Sequence, residues 1–230
     1  MTQTTHPFLK GCKAGIPVAI GYVPIAIAFG LLACSNGFSV MAAVSMSLFV
    51  FAGASQFVGV GMLAMGSPVI EITLTTLMLN FRHFVMSSSL SQRLPKGLPK
   101  WLLAALSFGI TDESFALASF QPEEELNPMF VLGANLFTYA SWVLGSVLGA
   151  FAGGFIPAFL QDAMGVSLYA MFVGLLVPNL SGSRKLLILA GIAAVVNYLL
   201  THFGVSSGIG IIITSVSVSM LGAALFREEE

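Results

Sequence analysis

Apolar runs about as long as a bilayer is thick follow one another along almost the whole chain, and they leave little choice of fold. Eight can be marked: 15–34, 40–65, 70–90, 101–120, 129–152, 155–178, 186–203 and 207–226. A helix of about 20 apolar residues crosses the hydrocarbon core of a membrane. Only 8% of the residues are charged, against about 25% in an ordinary soluble domain. The chain therefore lacks the polar surface needed to face water on all sides. Backbone polar groups in lipid must be satisfied internally, and no alternating strand pattern is present. The sequence predicts an all-α polytopic membrane protein, with residues 1–230 forming a single transmembrane domain. The count is seven or eight helices, because Asp162 interrupts the sixth run and the seventh is short.

The connections are brief: a basic, Pro-rich loop over 91–100, an acidic one over 121–127 and a basic one over 178–185. The first run contains Pro17, Gly21 and Pro24 and reads as a span rather than a cleaved leader, although Leu31–Cys34 resembles a lipoprotein cleavage box. If every run crosses and the N-terminus is inside, Lys10, Lys13, Arg184, Lys185 and Arg227 are cytoplasmic, and Arg93, Lys96 and Lys100 are outside. The positive-inside rule then favours this orientation by only five to three. A hairpin made from the 40–65 run would move the 91–100 loop to the inside. Cys12 and Cys34 would sit roughly 33 Å apart on a helix at ~1.5 Å per residue, too far for a disulfide.

Two short stretches match. AGASQF at 52–57 and LGANLF at 132–137 share Gly-Ala-polar-x-Phe, 80 positions apart. The match suggests a three-helix inverted repeat, spans 1–3 corresponding to spans 4–6, a common transporter plan. The small residues of GASQ also point to a broken helix near residues 52–57, where Ser55 and Gln56 would line a site.

The polar residues are concentrated. Thr73, Thr76, Asn80, His83 and Ser87 recur at three- and four-residue steps and form one helical stripe. Leu74, Leu77, Phe81 and Phe84 occupy the other face. Arg82 lies beside the stripe near mid-span, where a charge costs at least about 3 kcal/mol. Asp112 and Glu113 fall in the middle of span 4, with Ser107, Thr111 and Ser114 on one face. One acid is expected to pair with Arg82 and the other to be open to protonation; the alternative is that span 4 is shifted and both acids sit in an interfacial break. The structural reading is an ion pair locking two helices; the functional one is a substrate or ion pathway. Glu71 at the start of span 3 suits the helix dipole. Asn135, Asp162 and Asn197 read as inter-helix glue, and Ser141, Gly145, Gly149 and Gly153 as a helix-packing ladder.

Enzyme signatures fail. There is no P-loop, no HExxH and no CxxC. GVSSG at 204–208 has the spacing of a nucleophile elbow, but no strand precedes it and no His follows. No cofactor or metal motif and no basic patch for nucleic acid is present.

GYVPIAIAFGLLA (21–33), SLFVFAGASQF (47–57), LNFRHFVMSSSL (79–90) and TDESFA (111–116) resemble, in this order, the large subunit of the azaleucine-resistance, branched-chain amino acid permeases, the AzlC family. The resemblance implies export of branched-chain amino acids, notably valine, across the bacterial cytoplasmic membrane, beside a much smaller AzlD-type membrane subunit. It carries no residue roles with it. From the residues themselves, Arg82 or a half-helix N-terminus at Ser55 is expected to hold a substrate carboxylate. Asp112 or Glu113 is expected to hold the ammonium, and His83, titrating near neutral pH, to couple transport to protons. The rival reading is a channel or scaffold subunit whose charges are only structural.

Overall fold

In the computed structural model, residues 6–152, 173, 177 and 183–225 are described. All the elements among them are helices: α1 (Pro7–Ala14), α2 (Ile16–Ser35), α3 (Val40–Phe49), α4 (Gly53–Ala64), α5 (Val69–Ser91), α6 (Lys100–Phe108), α7 (Asp112–Ser119), α8 (Pro128–Ala152), α9 (Arg184–His202) and α10 (Ser207–Leu225). Four (α2, α8, α9 and Gly208–Leu225 of α10) are long and apolar enough to cross a membrane, and α6 with α7 makes a fifth if that bent pair is one span. Among the described residues the count is thus four or five. The 155–178 run, with Asp162, lies largely outside them. The chain divides into two compact units, one of Met1–Val60 with Asn80–Ser167, the other of Gly61–Leu79 with Leu168–Glu230.

The first unit is built on a seam of small residues. Gly11, Gly15, Ala19, Ala26, Gly30 and Ala33, with the larger Tyr22 between them, recur every three or four positions and are buried. They let α1 and α2 lie directly on α8. A methyl group on Gly11 would fall 2.0 Å from the Phe130 carbonyl oxygen, and one on Gly30 2.3 Å from that of Ser146. Reciprocally, a methyl on Gly149 would fall 2.1 Å from the Ile27 carbonyl oxygen. The low residues of α1–α2 thus meet the low residues of α8 and the high meet the high, so the two run parallel. Gly145 and Gly149, half of the ladder read from the sequence, are consumed in this contact; Gly153 lies outside the described residues. Dispersion between closely approached backbones replaces the hydrophobic drive that lipid does not supply.

Two runs expected to cross instead turn back. The 101–120 run breaks at 109–111, and its halves α6 and α7 are bent by 116°. Leu90, Leu102, Ala118 and Leu126 share one buried cluster. Arg93, after α5, donates to the carbonyls of Ala118, Ser119, Gln121, Glu123 and Glu124, and its own carbonyl accepts from Leu126 N–H at 2.7 Å. Both ends of the pair are therefore on one face, with the start of α8. The run folds back on itself as two half-helices. Its cause is visible in TDES: Thr111 and Ser114 form a capping box, and two acids occupy the first turn of α7, so a helix starts here.

The 40–65 run breaks at 50–52, just upstream of the expected 52–57, and GASQ forms the first turn of α4. Ser39 caps the start of α3. Gly53 is pressed against the Trp142 ring, 2.6 Å from where a β-carbon would stand. Across the break Gln56 donates to Ser47 at 2.9 Å. Phe51 packs near Tyr22, while Phe57 packs on Phe29, two turns further along α2. The chain has reversed. This hairpin enters from the Ala152 end of α8, and α6–α7 from the Pro128 end.

The 80-position match does not sit in equivalent places. Residues 52–57 follow a hairpin tip, whereas 132–137 lie inside the continuous α8. Of the other two pairs, 15–34 is one continuous helix and 101–120 a broken one, while 155–178, the partner of 70–90, lies largely outside the described residues.

In the second unit, α9 has no buried residue. Glu71 accepts from Ser206 beside the start of α10, as a carboxylate at a helix N-terminus should. Asn197 lies 3.6 Å from where a β-carbon on Gly210 would be, between α9 and α10.

Candidate functional site

The tips of the two hairpins meet beside the middle of α8. Phe51 and Phe108, one at each tip, have ring centroids 6.5 Å apart, and both pack on Tyr139, at 5.2 and 5.5 Å. Broken backbone inside a membrane needs partners for its freed groups, and α8 supplies them. Tyr139 donates to the Leu48 carbonyl at 2.8 Å at one tip, and Asn135 to the Leu106 carbonyl at 2.9 Å at the other. Ser114 donates to the Gly109 carbonyl at 3.1 Å. Asn135, expected to be inter-helix glue, thus secures a hairpin tip.

Around these tips lie the polar residues singled out in the sequence. Arg82 of α5 forms an ion pair with Asp112 at the start of α7. Glu113 takes a different partner, the hydroxyl of Tyr22 on α2, which donates to its carboxylate. That hydroxyl also lies 2.7 Å from Thr111 Oγ1. One phenolic proton cannot serve both, so Thr111 donates in turn to the tyrosine oxygen. The two neighbouring acids therefore lie not in the middle of a span but on the first turn of a half-helix, where the dipole favours them. They tie that half-helix to α5 and to α2 separately.

Ser55 donates to Asn80 Oδ1 at 2.6 Å, joining α4 to α5. Gln56 is only 1% exposed. It donates to Ser47 and accepts from Trp142 Nε1 at 2.9 Å, and Ser47 donates to Ser146 at 2.7 Å. This amide network is closed: each end of the Gln56 side chain is engaged inside the protein. His83 is half-buried, close enough to Arg82 and Asp112 to feel both charges. The outer part of the stripe behaves differently, since Thr73 and Thr76 bond back to the carbonyls of Val69 and Ile72, each at 2.8 Å. Leu74, Leu77, Phe81 and Phe84 are exposed, as their face of the helix requires.

Sequence reasoning missed Tyr22, Ser47, Trp142 and Ser146. Tyr22 and Trp142, 5.5 Å apart edge to face, looked like apolar ballast in greasy runs. Their polar tips were the available signal, because a buried phenol or indole generally finds a partner. Among the described residues no group of three or more His, Cys, Asp or Glu side chains could hold a metal.

Comparison with known proteins places this arrangement. A family profile described as AzlC protein matches residues 17–156, which takes in both hairpins and α8. The inner membrane protein YgaZ of Escherichia coli K12 is 36% identical over 191 residues, 80% of this chain and 78% of that one. An uncharacterized membrane protein of Archaeoglobus fulgidus is 33% identical over 216 residues, 93% of each. The branched-chain amino acid transport protein AzlC of Bacillus subtilis is 25% identical over 217 residues, 94% of this chain and 78% of that one. No solved structure matches. The profile spans well over half of the chain, and the chain belongs to the AzlC family.

Proposed function

We propose that this chain is the large subunit of a secondary transporter that exports branched-chain amino acids such as L-valine across the bacterial cytoplasmic membrane, driven by protons, beside a small AzlD-type membrane subunit. The observation that carries the reading is the meeting of two oppositely entering hairpin tips where charged and polar side chains gather. Half-helix ends at mid-depth are a transporter's means of holding a charged solute. The first turn of α4, Gly53–Ser55, and the Arg82 guanidinium suit a substrate carboxylate. Asp112 and Glu113 suit its ammonium, and the rings of Phe51 and Phe108 suit a branched apolar side chain. The transport role of the Bacillus subtilis relative points the same way.

The charges of the first unit support one orientation. The N-terminus, the 91–100 loop and the 120–127 loop share one face, which carries Lys10, Lys13, Arg93, Lys96 and Lys100, whereas no Lys or Arg occurs between Lys13 and Arg82. On that asymmetry within the first unit we read the N-terminal face as cytoplasmic.

The rival, a channel or scaffold subunit, draws on the closed Arg82–Asp112 pair and the enclosed Gln56, both of which also serve a purely structural centre. Radiolabelled valine efflux from cells expressing the chain, with and without its small neighbour, decides. Efflux above empty vector that needs both chains supports the exporter. Efflux equal to empty vector in every case ends it.

A further inference from the structure

Among the described residues the charges at the hairpin tips do not balance. Arg82 and Asp112 compensate each other. Glu113 makes no ion pair with any described residue; it has a phenol, Tyr22, and the positive end of an eight-residue helix. Tyr22 is 5% exposed and Thr111 7%, so the side of Glu113 that faces α2 is dry. A carboxylate at this depth carries a cost of several kcal/mol unless a cation joins it. Besides Tyr22, the other ionisable groups on α2 and α5–α8 are Cys34 on α2, Glu71, Arg82 and His83 on α5, Lys100 on α6, Asp112 on α7 and Tyr139 on α8. Of these Arg82 is taken by Asp112, and α3 and α4 bring no ionisable side chain.

On this basis, and resting on the transport reading above, we infer that Glu113 is an exchange site at which the substrate's ammonium group and a proton compete for one carboxylate. In the empty site the Glu113 oxygen takes a proton from the aqueous side then open. That proton must leave before an ammonium can donate to the same oxygens. Export of one zwitterion is thereby exchanged for one proton, with no covalent bond made other than the carboxyl O–H. Tyr22 is the positioning residue: its hydroxyl holds the carboxylate at the junction of the α6–α7 tip with α2, so loading of Glu113 and docking of that tip are felt together. Asp112 does not share the role, because Arg82 already supplies its cation.

The test is valine binding to the purified complex of the full chain with its small subunit, with an unbuffered pH readout. The wild type should release protons on valine addition, approaching one per valine at the acid end of the pH range in which it binds. By the reciprocity of linked equilibria, its valine affinity should fall by up to about tenfold per pH unit on acidification. Glu113→Gln should release none and bind at least about tenfold more weakly, with no pH dependence. Glu113→Asp, checked for a monodisperse elution profile, should keep the release. A wild type that binds valine with no proton release, or a Glu113→Gln protein that behaves like wild type, overturns the exchange site and leaves the exporter standing. A wild type that binds no valine at any pH overturns both.

Discussion

Arg93 donates to the backbone carbonyl of Gln121 at 2.9 Å across 28 positions of sequence, and this bond fixes the topology of the first unit. It ties the loop that enters α6 to the loop that leaves α7. A guanidinium with five planar donors is suited to collecting several carbonyls at once. The carbonyls it collects include those left open at the end of α7.

The first prediction is therefore topological. Single cysteines at Lys96 and Glu124, in a chain whose Cys12 and Cys34 are replaced, should react with a membrane-impermeant thiol reagent from the same side, the cytoplasmic one. Labelling of the two from opposite sides would mean that 101–120 crosses after all.

The second concerns Arg82 and Asp112. Their side chains are 32% and 26% exposed, so breaking the pair should cost less than the ~3–5 kcal/mol of a fully buried one, about 1–3 kcal/mol. Arg82→Gln or Asp112→Asn alone should lower the unfolding midpoint in detergent. The double variant should recover part of the loss, because no lone charge remains. Strictly additive losses would show that the two residues act independently.

The third tests the seam. Gly149→Ala places a methyl against the Ile27 backbone, which cannot rotate away, and should destabilise by roughly 1–3 kcal/mol or more. Gly21→Ala is its control: on the same α2, a methyl there meets nothing within 4 Å. It should be neutral or stabilising by about 0.5–1 kcal/mol, since alanine is the better helix former. Equal effects of the two would remove the seam from the account of stability.

Much of this fold could be read in the sequence, and the rest failed for a definite reason. Apolar run length showed that the elements are helices, and the apolar face of α5 showed which side of it turns away from protein, although its buried residues, Thr75, Met86 and Leu90, lie outside the polar stripe. Run length cannot distinguish a crossing from a hairpin, because two half-helices bury as many apolar residues as one whole one. The distinguishing marks were local. TDES is a helix start of the Thr-x-x-Ser kind with acids in the first turn, and it was read as a site instead. At Gly53 the need for glycine comes from the Trp142 ring, a contact between residues 89 positions apart that no local pattern carries. The Arg82–Asp112 pair was legible because each charge demanded a partner. The Tyr22–Glu113 contact was not, because a phenol makes no such demand visible.

The last prediction separates two candidate proton groups. A free imidazole titrates in the right range, and the sequence alone makes His83 the natural coupling residue. In the structure it makes no hydrogen bond among the described residues, whereas Glu113 is held at the hairpin junction by Tyr22. His83→Gln keeps a polar side chain and cannot titrate. If Glu113 is the exchange site, this variant should lower the rate of valine efflux by a similar factor at every pH from about 5.5 to 8, leaving the shape of the profile unchanged. Glu113→Gln should flatten the profile. A profile flattened by His83→Gln and preserved by Glu113→Gln would assign the coupling to the imidazole. Efflux measured against pH for the two variants and the wild type, at matched expression, makes the comparison.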